Sequence, residues 1–557
     1  MIIGIDVGGT NTDAVLLSSS SIEKKIKVPT DSEDLFNTIL SSFTRLLDNI
    51  DPKKIQRVVI STTLTTNAIV QQNMDPIGMI VSAGPGIDPR VFSTGEHYYC
   101  VTGSINHRGR EKAPINKMEI EDIAKRMKKA GIEYVGVVSK FCVRNPSHEM
   151  LIKRILNKYF KKVFLGHHVS GNLNFPRRIA TTHLNAAVFS LHKSFFEAVK
   201  QSLEEMGLMV PIQILKADGG TMTLESSMSF PGQTVLSGPA ASIMGAIPYA
   251  PENQDAIVLD IGGTTTDIAF LVNKAPLLEP VGIRRGQYKS LIRSLRTESK
   301  GIGGDSAVRV KDKELVIGPD RKGPAMAFGG QEPTPTDALV VLGLMDEGDQ
   351  ENAKEGIHKI AEQLCVTDEE AADQIFKKCC SVILKKTFEM IDKLNSKPVY
   401  TVHEFLEGYK ISPRKILLLG GPAPYFAKKI EELYHIETDA VPESSVANAI
   451  GAALARTTCE VSLNADTELG IVTAHEEDFA EPISKTYSDD DLVETAYTLL
   501  KEKAVNSGAD PDNLDEVEVV EFQKFNIVRN FSPRGKIFRA KMQLKPGLIK
   551  GFEKVLQ

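Results

Sequence analysis

The sequence is poor in the residue patterns from which many functional sites are built. Only six of its 557 residues are cysteine: Cys100, Cys142, Cys365, Cys379, Cys380 and Cys459. They are irregularly spaced, with no C-x-x-C pair and no matching histidine spacing, which disfavours a disulfide framework and a structural zinc and leads us to expect a reducing compartment. No stretch approaches the ~20 uninterrupted apolar residues of a membrane span. The first residues lack the basic, long-apolar, small-residue order of a leader, because strand-like sequence already begins at Ile2. Cytoplasmic residence, with no membrane contact, is the resulting expectation. A net charge of −6 is small for this length and gives no support to nucleic-acid binding; clusters such as "KRMKKAG" read as solvated helix faces. Absent too are G-x-x-x-x-G-K-[ST], a strand-linked G-x-G-x-x-G and G-x-S-x-G, so P-loop, dinucleotide and serine-hydrolase chemistry have no sequence support. In "GHHVSG", His167 and His168 invite a metal-ligand reading, but adjacent side chains seldom point the same way. The stretch reads as a polar loop, with position 168 left open as a pocket-lining residue.

What the sequence does contain is a repeat. "GIDVGGTNTDAVLL" near the start returns as "LDIGGTTTDIAFLV", so that Asp6, Gly8, Gly9, Thr10, Thr12 and Asp13 fall on Asp260, Gly262, Gly263, Thr264, Thr266 and Asp267 without a gap. In each copy an apolar, β-branched run precedes the glycines and another follows them, which predicts strand, tight turn, strand. Glycine lets the backbone approach a ligand closely, and the exposed N–H groups and Thr hydroxyls suit phosphate oxygens. A carboxylate at the mouth of a phosphate loop is repulsive unless a hard cation lies between. Asp6 and Asp260 are therefore the candidate ligands of a hydrated Mg²⁺ beside ATP.

A chain of this length exceeds one core, and the alternation of apolar strands with amphipathic helices predicts α/β architecture. Helices are expected over "DSEDLFNTILSSFTRLLDNI", near Lys117 and Ser147, over "RRIATTHLNAAVFSLHKSFFEAVKQSLEEMG" and over the small-residue run "SSVANAIGAALART". Strands are expected in "IEYVGVVSKF", "KKVFLGHHVS" and "IQILKADGG". The expected division is a first lobe at 1–190, a second at 191–460 and a small α+β unit at 461–557.

"GIDVGGTNTDAVLL", "DIGGTTTDIAFL" and "ILLLGGPAPYFAKKI" resemble, in order, the two phosphate motifs and the adenosine motif of the actin/Hsp70/sugar-kinase ATPase superfamily. More narrowly, "STTLTTNAIVQQ", "TVLSGPAASIMGA", "GIGGDSAVRV", "ELVIGPDRKGPAMAFGG" and "EPTPTDALVVLG" are similar to segments of the A subunit of the hydantoinase/5-oxoprolinase family. The resemblance covers about residues 1 to 457. It implies a two-lobed actin-like fold with duplicated ribonuclease H-like domains. It also implies ATP- and magnesium-dependent hydrolysis of a cyclic amide, by phosphorylation of the ring carbonyl oxygen and attack of water on the activated ring.

Carried over, Gly8, Gly9, Thr10, Asn11 and Thr12 face the phosphates from one lobe and Gly262, Gly263, Thr264, Thr265 and Thr266 from the other. Gly420 and Gly421 pack on adenosine. Where the family usually has three consecutive glycines this sequence reads "GIGGDS", so Asp305 and Ser306 are expected on the substrate side of the cleft, away from adenosine, with Asp305 joining Asp6 and Asp260 as a catalytic candidate. "GPAMAFGG" lacks the cysteine of many relatives, which disfavours thiol-dependent variants. Fused oxoprolinases carry a B-type half that this sequence lacks, which leaves room for a separate B-type partner; association with further copies of itself stays open. The competing readings are an acetone- or acetophenone-type carboxylase subunit, a nucleotide-driven activator without a small substrate, and a sugar kinase.

Overall fold

The computed structural model describes residues 1–9, 11–31, 34–279, 281–286, 288–396, 410–511, 514, 516–552 and 555. Both Gly-Gly units fold as hairpins with the same internal register. Strand Ile2–Val7 runs antiparallel to Asn11–Leu17, pairing Asp6 with Asp13 and Val7 with Thr12. Strand Asp255–Ile261 runs antiparallel to Thr266–Val272, pairing Asp260 with Asp267 and Ile261 with Thr266. The turns close alike: Gly8 N–H donates to Asn11 O at 3.0 Å and Gly262 N–H to Thr265 O at 2.9 Å.

Each hairpin is extended in the same way. Arg57–Thr62 adds in parallel to the first and Lys415–Leu419 to the second, followed by Ile212–Leu215 and Glu437–Ala440. Parallel neighbours require crossover connections, and the alternating sequence supplies them as helices. The first sheet runs Thr221–Thr223, Ile212–Leu215, Arg57–Thr62, Ile2–Val7, Asn11–Leu17, Ile22–Pro29. The second runs Glu437–Ala440, Lys415–Leu419, Asp255–Ile261, Thr266–Val272, Ala275–Pro276. This shared order is the duplicated ribonuclease H-like arrangement of an actin-like ATPase fold.

The expected division at 190/191 needs correction, because it falls inside helix Phe189–Glu205 and two strands beyond it complete the first sheet. The single long helix expected there is two, Phe175–Ala187 and Phe189–Glu205, parted at Val188. Between the strands of the first sheet the chain inserts an all-parallel sheet of Lys162–Leu165, Tyr134–Ser139, Gly78–Ser82 and Tyr98–Cys100. Helices Lys117–Lys129 and Ser147–Leu156 accompany it. At the C-terminal end, Glu460–Asp466 lies between Ile471–Ala474 and Ser532–Leu544 in a five-stranded sheet. Helix Asp489–Asn506 covers it with Leu492, Ala496, Leu500 and Ala504, all buried at four-residue spacing. Among the described residues no helix is long and apolar enough to cross a membrane.

Two short helices of small residues join the lobes. Ser237–Ala246 leaves the first sheet and touches strand Asp255–Ile261 of the second; Ala447–Leu454 leaves the second and packs on strand Ile2–Val7 of the first. They cross at their glycines. A Cβ on Gly245 would stand 2.2 Å from Ala447 O, and one on Gly451 would stand 2.0 Å from Ala241 O. Backbone packed that closely admits no side chain.

Candidate functional site

The hinge helices bring the repeated carboxylates together. Asn448, the second residue of Ala447–Leu454, donates its Nδ2 to Asp6 Oδ2 at 2.7 Å and to Asp13 Oδ2 at 3.0 Å. Ser242, on the other hinge helix, donates its hydroxyl to Asp260 Oδ2 at 2.5 Å. Each hinge helix thus reaches across to the hairpin of the opposite lobe. Ser242 and Asn448 stand three residues before Gly245 and Gly451, so these cross-lobe contacts repeat the duplication already seen in the hairpins.

Asp6 is buried among the strands that carry it, and burial is the main cause that pushes its carboxyl up to about 6; the Asp13 and Asp260 charges add to the shift, while Ser61 and Asn448 oppose it. Burial also raises Asp260; the Ser242 hydroxyl tempers the rise and the Asp13 charge reinforces it. Asp13 is paired with Lys27 at 2.8 Å. The Asp6 and Asp260 carboxylates are therefore within electrostatic reach of one another, with Asp13 between their influences. Asp6 Oδ1 and the Ser61 hydroxyl are buried near one another: Ser61 is close enough to favour the ionised carboxylate, but neither atom has a hydrogen bond of ordinary geometry among the described residues. Buried carboxylates within electrostatic reach of one another suit a hydrated hard cation such as Mg²⁺, which takes a few carboxylates together with water.

The candidate loop residues separate into two groups. Gly9, Thr264 and Thr265 are exposed at the turns, and Gly8, Asn11, Gly262 and Gly263 are half-exposed. Thr12 and Thr266, expected to face phosphates, instead point inward. Thr12 Oγ1 bonds Thr30 Oγ1 at 2.9 Å and Thr266 Oγ1 donates to Ile302 O at 2.7 Å, both residues being fully buried. Alternation along the strand decides this, since residues one apart take opposite faces of the sheet. Thr10 lies outside the described residues. Gly420 adopts φ +91° over the end of the Asp260 strand, where a Cβ would come 2.2 Å from Ile261 O and 3.0 Å from Asp260 Oδ1. Next to it, Gly421 faces open space.

The "GIGGDS" segment folds back onto the second hairpin. Gly304 N–H donates to Gly262 O at 2.9 Å and Asp305 N–H to Gly263 O at 2.7 Å, so the segment lies directly on the second Gly-Gly turn. Gly304 also abuts Pro422, beside the proposed adenosine glycines, and its carbonyl accepts the Thr336 hydroxyl at 2.8 Å. The segment is thus packed between the second Gly-Gly turn and the start of the Gly420–Gly421 turn. Asp305 holds Arg321 at 2.8 Å; burial raises its carboxyl and Arg321 works against the rise. Ser306 is buried, its hydroxyl accepting Gly303 N–H at 2.8 Å.

Ser242, Asn448, Ser61 and Arg321 were not legible as site residues. For the first two a signal existed, the parallel between "SIMGA" and "NAIGA".

Comparison with known proteins agrees with this geometry. A profile described as "Hydantoinase/oxoprolinase N-terminal region" matches residues 2–160, and one described as "Hydantoinase/oxoprolinase" matches 178–461. Caprolactamase subunit alpha of Pseudomonas jessenii is 24% identical over 419 residues, 66% of this chain and 60% of that one. Acetophenone carboxylase gamma subunit of Aromatoleum aromaticum is 23% identical over 401 residues, 62% and 53% of the two chains. The matched region thus spans little more than half the length of these relatives. Among solved structures, the ATP-dependent caprolactamase of Pseudomonas jessenii superposes with a TM-score of 0.72 at 19% identity, covering 99% of this chain and 88% of that one. Nucleotide-free acetone carboxylase gives 0.71 at 16% identity, covering 100% and 88%.

Proposed function

The chain belongs to the hydantoinase/oxoprolinase family, and from that premise we propose that it is the ATP-handling chain of a cyclic amidohydrolase, opening a hydantoin- or 5-oxoproline-type ring through phosphorylation of the carbonyl oxygen. One observation carries the reading. Two equivalent Gly-Gly hairpins, one per lobe, carry Asp6 and Asp260, the Asp260 charge acts on Asp6, and the buried Asp6 Oδ1 has no hydrogen bond of ordinary geometry among the described residues.

In this reading Asp6 and Asp260 hold Mg²⁺, which when bound neutralises and orients the phosphates. The backbone N–H groups of Gly8, Gly9, Gly262 and Gly263, with Asn11, Thr264 and Thr265, receive phosphate oxygens from opposite sides, and Gly420 and Gly421 lie against adenosine. Phosphoryl transfer asks for little more than such positioning and charge neutralisation. A ring amide is a poor electrophile. Moving the γ-phosphoryl from ATP to its oxygen, with ADP departing, turns that oxygen into a leaving group; one water adds to the carbon, the ring C–N bond breaks as nitrogen takes a proton and an acyl phosphate remains, and a second water attacks its carbon to release the carboxylate and phosphate.

Both relatives are named as subunits, which favours action beside a B-type partner. Strand Val517–Arg529 offers a surface for one: Val519, Val520, Phe522, Phe525 and Val528 are all exposed along it. A second reading, ATP-dependent carboxylation of a ketone, is favoured by the nearly equal likeness to acetone carboxylase.

The deciding assay follows ADP release by the purified chain, alone and with a B-type partner, against hydantoins, 5-oxoproline and simple ketones with labelled bicarbonate. Substrate-stimulated ADP release with a ring-opened product supports the amidohydrolase. Label incorporated into a ketone-derived acid selects the carboxylase, and ATP turnover indifferent to every small substrate would overturn both.

A further inference from the structure

Where the inserted parallel sheet meets the C-terminal unit, His167, His168 and Asp478 each bring one ligand atom to within 4.8 Å of the others. His168 Nε2 lies 3.3 Å from Asp478 Oδ1, and His167 Nε2 lies 4.0 Å from the same oxygen. The stretch expected as polar loop is a short 3₁₀ turn, Gly166–Val169, and it sets the two rings side by side with centroids 4.2 Å apart.

This turn is built rather than incidental. Arg178, fully buried, donates to Gly166 O at 2.5 Å and Ser170 O at 2.6 Å and also reaches Asn172 O, which fixes the turn from both ends. Glu149, also fully buried, accepts His167 Nδ1 at 2.6 Å and the His167 backbone N–H at 2.9 Å. A carboxylate at Nδ1 keeps the proton there and leaves the Nε2 lone pair pointing forward, the arrangement that orients histidine ligands behind many metal sites. His167 Nε2 is completely buried and has no hydrogen-bond partner among the described residues. It faces a carboxylate oxygen, so two lone-pair donors converge, and a cation between them satisfies both.

Spacing agrees with chemistry. Bonds of about 2.0 Å in a tetrahedral site set ligand atoms about 3.3 Å apart. His168 to Asp478 already has that spacing, and the Asp478 side chain, 72% exposed, is free to close the remainder. His168 also lines a cavity of about 250 Å³ with Lys216, Arg293 and Glu476. All three guanidinium nitrogens of Arg293 are buried without a hydrogen-bond partner among the described residues, the carboxylates of Asp218 and Glu460 standing off at 3.5 and 3.8 Å.

We propose that His167, His168 and Asp478 form a zinc-type divalent-metal site, separate from the Asp6–Asp260 site, whose open coordination position faces this cavity and takes an anionic oxygen ligand. Two histidines and one carboxylate suit a borderline metal of the zinc class better than magnesium. The ion ties the C-terminal unit to the lobe carrying the histidines.

The test uses the full chain after chelator treatment, titrated with Zn²⁺ by calorimetry and with Co²⁺ by visible absorption. One equivalent should bind, with the intense bands of tetrahedral cobalt, and acetate should shift those bands. His168→Gln and Asp478→Ala alter less buried positions than His167 and should each weaken binding by about 10-fold or more, while Asp6→Asn leaves the stoichiometry unchanged. Absence of saturable binding, or binding undiminished in both variants, overturns the site. Bands indifferent to acetate overturn the open position.

Discussion

Asp6→Asn is expected to make the nucleotide-free protein more stable while abolishing its ATP turnover. The native fold raises the Asp6 carboxyl from 3.8 to about 6, chiefly by burial, and the residue is 6% exposed, so solvent does little to screen the effect. Roughly two pH units at about 1.4 kcal/mol each amount to about 3 kcal/mol. Because the native state binds this proton more tightly than the unfolded chain, the penalty is absent below about pH 4. It grows through the window between 3.8 and about 6 and is complete above it. Asparagine removes the titration. The charge-assisted part of the Asn448 hydrogen bond is already contained in that net shift, so a gain of up to about 3 kcal/mol remains at pH 8 and vanishes near pH 4. Thermal unfolding in chelator, without nucleotide, should show the variant melting several degrees above the parent at pH 8, with the gap closing at pH 4.5. Magnesium and ATP should then stabilise the parent and not the variant. A variant that melts at or below the parent at pH 8, or a gap independent of pH, would refute the claim that Asp6 is an ionised group held at a cost for a cation.

Ser242→Ala and Asn448→Ala each remove a donor that favours an ionised carboxylate, so the acidic limb of kcat/KM for ATP should move to higher pH in both; unchanged profiles would reduce the clasp to packing. Gly451→Val drives side-chain atoms into Ala241 O and Gly245 N of the facing helix and should destabilise the fold by about 1–3 kcal/mol or more, read as a lower denaturation midpoint. Asp305→Ala leaves Arg321 without its 2.8 Å partner beside the second Gly-Gly turn, so the KM for ATP should rise while the ratio of ATP consumed to ring opened stays constant. A changed ratio at unchanged ATP KM would place Asp305 on the substrate side.

The hairpins were legible because their determinants are local: apolar runs, glycines and acidic residues within a dozen positions, written twice. Ser242 and Asn448 were marked only by the short parallel between "SIMGA" and "NAIGA", because a lone polar residue in a small-residue helix has no periodic signature and its partner lies in the other lobe. Thr12 and Thr266 misled for the opposite reason. Their composition suits a phosphate loop, but the pleat had already committed them to the interior. That Asp305 stands against the second hairpin was not legible either, because a separation of some forty residues says nothing about a segment that folds back onto Gly262 and Gly263. The division near 190 failed because the strands Ile212–Leu215 and Thr221–Thr223 return to the first sheet after an insertion. His167 and His168 converge only because Arg178 and Glu149, buried on other elements, fix the turn.

The central claim is that ATP phosphorylates the ring carbonyl oxygen, and the oxygen itself reports it most directly. A cyclic amide that stimulates ADP release is prepared with ¹⁸O in its carbonyl group, and the inorganic phosphate formed is analysed by mass spectrometry. The account predicts that ¹⁸O passes from the substrate into phosphate, lost when Asp6 or Asp260 is replaced by asparagine. Phosphate free of substrate oxygen, formed at the normal rate alongside the ring-opened product, would contradict it.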